Sequence, residues 1–152
     1  MNARDRIEEI LARRVLLLDG ATGTLMQASG MPQGVCPEAF GCEHPGPVGA
    51  MHAAYQEAGA DMVTTFTFGA NRCKLAEYGL ADAYAINREL ARICRQAVGD
   101  DLLIAGDIGP TGRFIEPFGD LGFEDAVAAF KEQVQGLIDG GVNMLTIETM
   151  LD

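Results

Sequence analysis

Four short, nearly apolar runs recur along this chain of 152 residues: VLLLDG (15–20), DMVTTFTF (61–68), LLIAGDIGP (102–110) and NMLTIE (143–148). Stretches of helical period separate them. Runs this apolar belong to strands buried on both faces, which is the habit of parallel sheets covered by helices. Parallel neighbours need crossover connections, and the intervening stretches supply them. The pattern predicts an α/β chain built from four parallel (β/α) units.

The helices are read from period and punctuation. Residues 2–14 place Ile7, Ile10 and Leu11 on one face. Residues 47–59 open with proline and close with glycine, as helix ends favour. Further helices are expected around 71–78, 82–98 and 123–139. Ile86, Leu90, Ile93 and Ala97 form one stripe, and Val127, Phe130, Val134, Leu137 and Ile138 another. Residues 30 to about 45, rich in Gly, Pro and Cys, read as a loop. No linker or internal sequence repeat divides residues 1–152, so one domain is expected.

Composition narrows the function classes. With 48% hydrophobic and 22% charged residues the chain is globular. No apolar run approaches the roughly 18 residues of a membrane helix, and the N-terminus lacks the h-region of a secretory signal. A net charge of −11 argues against nucleic acid or an anionic membrane as partner. Cys36, Cys42, Cys73 and Cys94 read as reduced thiols of a cytoplasmic protein, and their spacing is not that of a closed zinc site.

Parallel strands deliver their C-terminal ends to one side of a sheet, where α/β proteins place their sites. Here those ends carry Asp19, then Thr65 and Thr67, then Asp107, then Glu148 and Thr149. Loops are polar in any case, so each residue alone says little; four such tips together predict a binding rim. Two carboxylates on one pocket suit a ligand bearing an ammonium group, and serve equally well as a general acid–base pair. GATGT (20–24) lacks the spacing of a phosphate loop. Its glycines are expected to permit a tight turn.

The segments LLLDGATGTLMQ, GADMVTTFTFGANRCKL, DIGPTG and GGVNMLTIETMLD, in that order, resemble the homocysteine S-methyltransferase family from about Val15 onward. The family takes in the homocysteine module of cobalamin-dependent methionine synthase and betaine–homocysteine methyltransferase. The resemblance implies a TIM-type (β/α)8 barrel with homocysteine at its C-terminal mouth. Asp19 of the DG motif and Glu148 of the ET motif would hold the amino group, and Gly20 with its neighbouring backbone would line the amino-acid site. Thr65 and Thr67 match the second-strand motif and are carried as substrate-site residues. Phe66 stands where many methionine synthases have Asn and betaine-type members have Phe, so the methyl donor (methylcobalamin, betaine or S-methylmethionine) is left open.

The resemblance also implies zinc, held by three cysteine thiolates from the second half of the barrel, two of them adjacent. Zinc stabilises the homocysteine thiolate as a nucleophile. No such cysteines occur among these residues. The expectation is therefore the first half of a barrel, which supplies the amino-acid clamp but no metal ligands and transfers no methyl alone. Its open edges would pair with a second half-barrel or another copy. A non-catalytic half-barrel module and a doubly wound domain are the competing readings.

Overall fold

In the computed structural model, residues 2–150 are described. Three of the four apolar runs form a parallel sheet of β1 (Met62–Thr64), β2 (Leu103–Ile108) and β3 (Met144–Ile147), in the order β1-β2-β3. The register sets Thr64 beside Ala105 and Asp107 beside Thr146. The order contains no reversal point of the kind that marks doubly wound sheets.

The first run, residues 15–20, takes the expected place beside β1 but forms no continuous ladder. It joins Met62 through a parallel bridge at Leu18. Asp61 N–H donates to Leu17 O at 2.8 Å, and Asp19 N–H to Met62 O at 3.0 Å. The cause is the Asp61 side chain. Its Oδ2 accepts the Leu17 amide at 2.9 Å, and its two oxygens hold the Arg14 guanidinium at 2.6 Å each. A carboxylate thus occupies a position where a strand would offer backbone.

Alternation along the strands builds two different faces. Val63 and Ile104 pack with Cys94 and Val98 of α6 (Ala83–Val98) and with Tyr55 of α4 (Pro45–Glu57). Ile108 packs with Ala91 of α6 and Leu137 of α7 (Phe123–Asp139). The opposite face carries Met62, Leu103 and Ala105, with Leu16 and Met144 at its margin. Ala3 and Ile7 of α1 (Ala3–Leu11) close that face at one end. β3 is only half-buried, whereas every residue of β2 is buried.

Capping explains where the helices begin. Asn2, Asn71 and Asp82 each accept an amide from the first turn of α1, α5 (Arg72–Ala76) and α6. Two short helices, α2 (Gly23–Ala28) and α3 (Pro37–Glu43), fold stretches not expected to be helical. α3 takes up part of the supposed loop and carries Cys42, with Cys36 as its N-cap residue. Its signal was Pro37 at the first helical position followed by an acid.

The stripe expected on α7 is only partly the buried one. Val127 and Ile138 are exposed, at 44% and 54%, while Ala126, Ala129, Gln133 and Gly136 are buried. α6 approaches α7 too closely for large side chains. A Cβ on Gly136 would lie 2.5 Å from Tyr84 O, and one on Gly140 would lie 2.5 Å from Ala91 Cβ. Small residues therefore form the seam. Among the described residues no helix is long and apolar enough to cross a membrane.

Candidate functional site

The strand tips meet as the pattern predicts, and the acids among them share a cavity. A space of about 350 Å³ is lined by Leu18, Asp19, Gly20, Thr64, Asp107, Thr146 and Glu148, among others. A second space of about 270 Å³ shares Asp107 and Glu148 and extends toward Glu38, Phe66 and Phe68. Among the described residues no Lys, Arg or His lines either.

Asp19 is fixed by β1. Its Oδ2 accepts the Thr64 amide at 2.9 Å, and the Thr64 hydroxyl lies 3.1 and 3.2 Å from its two oxygens. Burial raises its pKa above the ordinary carboxylate value; the Thr64 bonds pull the other way, and the charge of Glu148 adds to the rise. Glu148 follows β3, donates its own amide to Ile108 O at 3.1 Å, and keeps an exposed side chain. Thr149, next to it, is the described non-glycine residue with positive φ, 58°. A β-branched residue there marks a strained turn.

Gly20 lies on the cavity wall, where a Cβ would come within 3.1 Å of the Tyr55 hydroxyl. That hydroxyl donates to Ala21 O at 2.8 Å and ties the loop to α4. Gly20 and Gly23 have no positive φ. The tight-turn expectation for them is therefore corrected: at Gly20, space decides the matter.

Thr65 and Thr67 both line the second space, but their hydroxyls are engaged within the protein. Asp107 N–H donates to Thr65 Oγ1 at 3.0 Å, and Thr67 Oγ1 donates to Asp107 O at 2.8 Å. The two hydroxyls lie 2.6 Å apart. With the Thr67 proton committed to Asp107, Thr65 is the donor between them. The pair grips the backbone of Asp107 on both sides. Both threonines are buried, at 1% and 0% exposure.

Asp107 itself is 7% exposed, and its Oδ1 has no hydrogen-bond partner. Burial pushes its carboxyl up to about 7, with the charges of Glu148 and Asp19 adding to the rise. The Ile108 amide opposes it and Glu38 adds a further, smaller push. Such displaced carboxyls cluster at functional sites. The sequence pattern puts Asp107 at a strand tip and gives it no role in the site; its desolvation depends on neighbours that only the fold supplies.

Glu38 gave no signal in the sequence beyond the start of α3. It is 6% exposed. Its Oε1 accepts the Gly69 amide at 2.7 Å, and the Cys36 thiol donates to Oε2 at 3.4 Å.

The cysteines do not fit a metal. Among the described residues no group of three His, Cys, Asp or Glu is placed to hold one. Burial pushes Cys42 up to about 11 and Cys94 up to about 12, and raises Cys36 as well. Thiols of that kind stay protonated near neutrality, whereas zinc binds thiolate.

The chain and its fold have known counterparts. The family model for homocysteine S-methyltransferase matches residues 16–152. Over 157 aligned residues the chain is 31% identical to the methionine synthase of Mycobacterium leprae (strain TN), covering 95% of this chain and 13% of that protein. Among solved structures, the oxidized form of the homocysteine methyltransferase MmuM from Escherichia coli matches with a TM-score of 0.82 at 25% identity. It covers 95% of this chain and 56% of that one. The apo form of MmuM matches at 0.69 and 26% identity, with 92% and 51% covered. The chain thus spans little more than half of the MmuM chain and a small part of the methionine synthase. By its sequence, and with a fold to match, the chain belongs to the homocysteine S-methyltransferase family, a family of methyltransferases.

Proposed function

We propose that this chain supplies the amino-acid-binding part of a homocysteine S-methyltransferase, the first half of a (β/α)8 barrel that holds homocysteine while its sulfur receives a methyl group. The observation that carries this reading is an acidic cavity, with Asp19, Asp107 and Glu148 on its wall and no basic side chain among the described residues that line it, in a member of that family. Uncompensated carboxylates on a partly buried wall are costly unless a cation joins them. The ammonium of an amino acid is such a cation.

Asp19, preset by Thr64, and Glu148 take the ammonium. Gly20 leaves room for the ligand's carboxylate to lie against the chain. Thr65 and Thr67 act through Asp107, whose backbone they fix. Holding the amino-acid end in one orientation aims the sulfur at the methyl donor, which is the rate advantage of positioning. Zinc is the family expectation for activating that sulfur. The residues present do not fit it, so the metal ligands belong to other residues of the complete enzyme. The methyl donor, methylcobalamin among the candidates, is likewise met by other parts.

Completion of the barrel is supported by the sheet margins. Val15, Leu17 and Leu18 on one side and Ile147 on the other are exposed, at 76%, 52%, 49% and 68%. Apolar residues at two open sheet margins favour a partner with four further (β/α) units.

Calorimetric titration of L-homocysteine into the chain tests the proposal. Binding that is lost in Asp19→Ala and in Glu148→Ala, without zinc uptake, is the expected result. Equal affinity in both variants contradicts it.

A further inference from the structure

Among the described acids on the walls of the two cavities, Asp107 is the buried one with a carboxylate oxygen that the fold leaves unanswered. Asp19 receives Thr64, and Glu38 receives Gly69 and Cys36. Asp107 is more than nine-tenths buried, yet its Oδ1 meets no donor. It lies on the wall of both cavities, between the strands that deliver Asp19 and Glu148. A buried carboxylate without a partner is strongly penalised, so its retention at a cavity points to a ligand that supplies the donor.

We propose that Asp107 is the third acceptor for the ligand's ammonium, beside Asp19 and Glu148, and that it makes the site selective for a primary amine. The inference rests on the amino-acid-site reading above and extends it. A primary ammonium carries three N–H donors. Three neighbouring strand ends offer one carboxylate each: Asp19 beside β1, Asp107 on β2 and Glu148 after β3. Asp19 already accepts the Thr64 amide and hydroxyl, which leaves it about half of its lone-pair sites for the ammonium. Asp107 keeps its Oδ1 free for a donor, with the Ile108 amide acting on the same carboxyl. Its backbone is clamped by Thr65 and Thr67, which fixes the direction of approach, as a selective site requires. A secondary or tertiary amine leaves one or two acceptors unanswered, and an unmet buried acceptor is penalised more than a missing surface bond.

One consequence is measurable without catalysis. Without a ligand the Asp107 carboxyl faces Asp19, Glu148 and Glu38, with no Lys, Arg or His among the described residues of the cavity walls, and holds its proton up to about pH 7. An arriving ammonium replaces that proton, which leaves to solvent. Binding of homocysteine near pH 6.5 therefore releases a proton.

The test is calorimetry on the 152-residue chain and its Asp107→Asn variant. L-homocysteine, N,N-dimethylhomocysteine and 4-mercaptobutyrate are titrated at pH 6.5 in phosphate and in imidazole, and again at pH 8. Circular dichroism verifies that the isosteric variant is folded. The expected result is proton release by the parent and none by the variant. The variant also loses about tenfold or more in homocysteine affinity at pH 8 and most of its preference over the dimethyl compound. Binding of 4-mercaptobutyrate, which has no amine, is not weakened. If the variant matches the parent in affinity, preference and proton count while Asp19→Asn abolishes binding, the role of Asp107 is refuted and the amino-acid site stands. If the parent chain does not bind homocysteine, both fall.

Discussion

Replacing Asp107 by Asn should make the protein more stable, and by an amount that depends on pH. The carboxyl is raised from the ordinary 3.8 to about 7. At roughly 1.4 kcal/mol per pH unit that gap corresponds to about 4 kcal/mol at full ionisation. Water in the open cavity, where Glu148 is exposed, reduces it to about 2–4 kcal/mol. The sign follows from proton linkage. Between pH 3.8 and about 7 the folded chain keeps the Asp107 proton while the unfolded chain has lost it. Stability from this group is thus whole below 3.8 and lost as pH rises to about 7. Asn carries no such charge. The difference between variant and parent should be near zero at pH 4, grow through pH 6, and reach its full size by pH 8.

His52 is why the difference, and not the raw curve, is the readout. It is wholly buried on α4 with neither ring nitrogen bonded, and burial lowers its pKa from 6.5 to about 4. Its contribution is present above 6.5 and lost as pH falls toward 4, opposite in slope to that of Asp107. The two largely cancel in the parent chain but not between parent and variant. Urea unfolding at pH 4, 6 and 8, with the slope compared to verify a common transition, gives the numbers. A stability gap that is constant with pH, or a variant less stable at pH 8, would refute the reasoning.

Three further outcomes follow from the packing. Gly136→Ala should destabilise the fold by about 1–3 kcal/mol in chemical unfolding, because its Cβ would sit 2.5 Å from Tyr84 O. Asp82→Ala removes the acceptor for the Ala85 amide at 2.9 Å and should cost about 1 kcal/mol, read as a lower Tm with unchanged ligand affinity. Thr67→Val breaks the bond to Asp107 O; it should cost about 1–2 kcal/mol and weaken homocysteine binding, whereas Thr111→Val, in the loop that follows β2, should leave the affinity alone.

Much of this architecture is legible in the sequence, for local reasons. α6 begins one residue after its expected start because Asp82 is an N-cap, a signal that needs no tertiary partner. β2 is found because both its faces are covered, so apolar residues run without a break. What escapes the sequence depends on distant neighbours. Residues 15–20 have strand composition, but Asp61 intercepts the Leu17 amide. Val127 and Ile138 share the helical period of Leu137, but the closeness of α6 selects the small face of α7 instead. At the site, Asp19 and Glu148 were marked by their place after apolar runs, whereas Glu38 has no such flag. The state of Asp107 follows from burial between two other acids, a property of three chain segments at once.

The most direct measurement of the central claim is a crystal structure of the chain grown with L-homocysteine under reducing conditions. The account predicts the ligand at the strand tips, its nitrogen within hydrogen-bond distance of the Asp19 and Glu148 carboxylates and its carboxylate beside Gly20. An amino acid seated elsewhere, or one turned so that its nitrogen meets neither carboxylate, would contradict it.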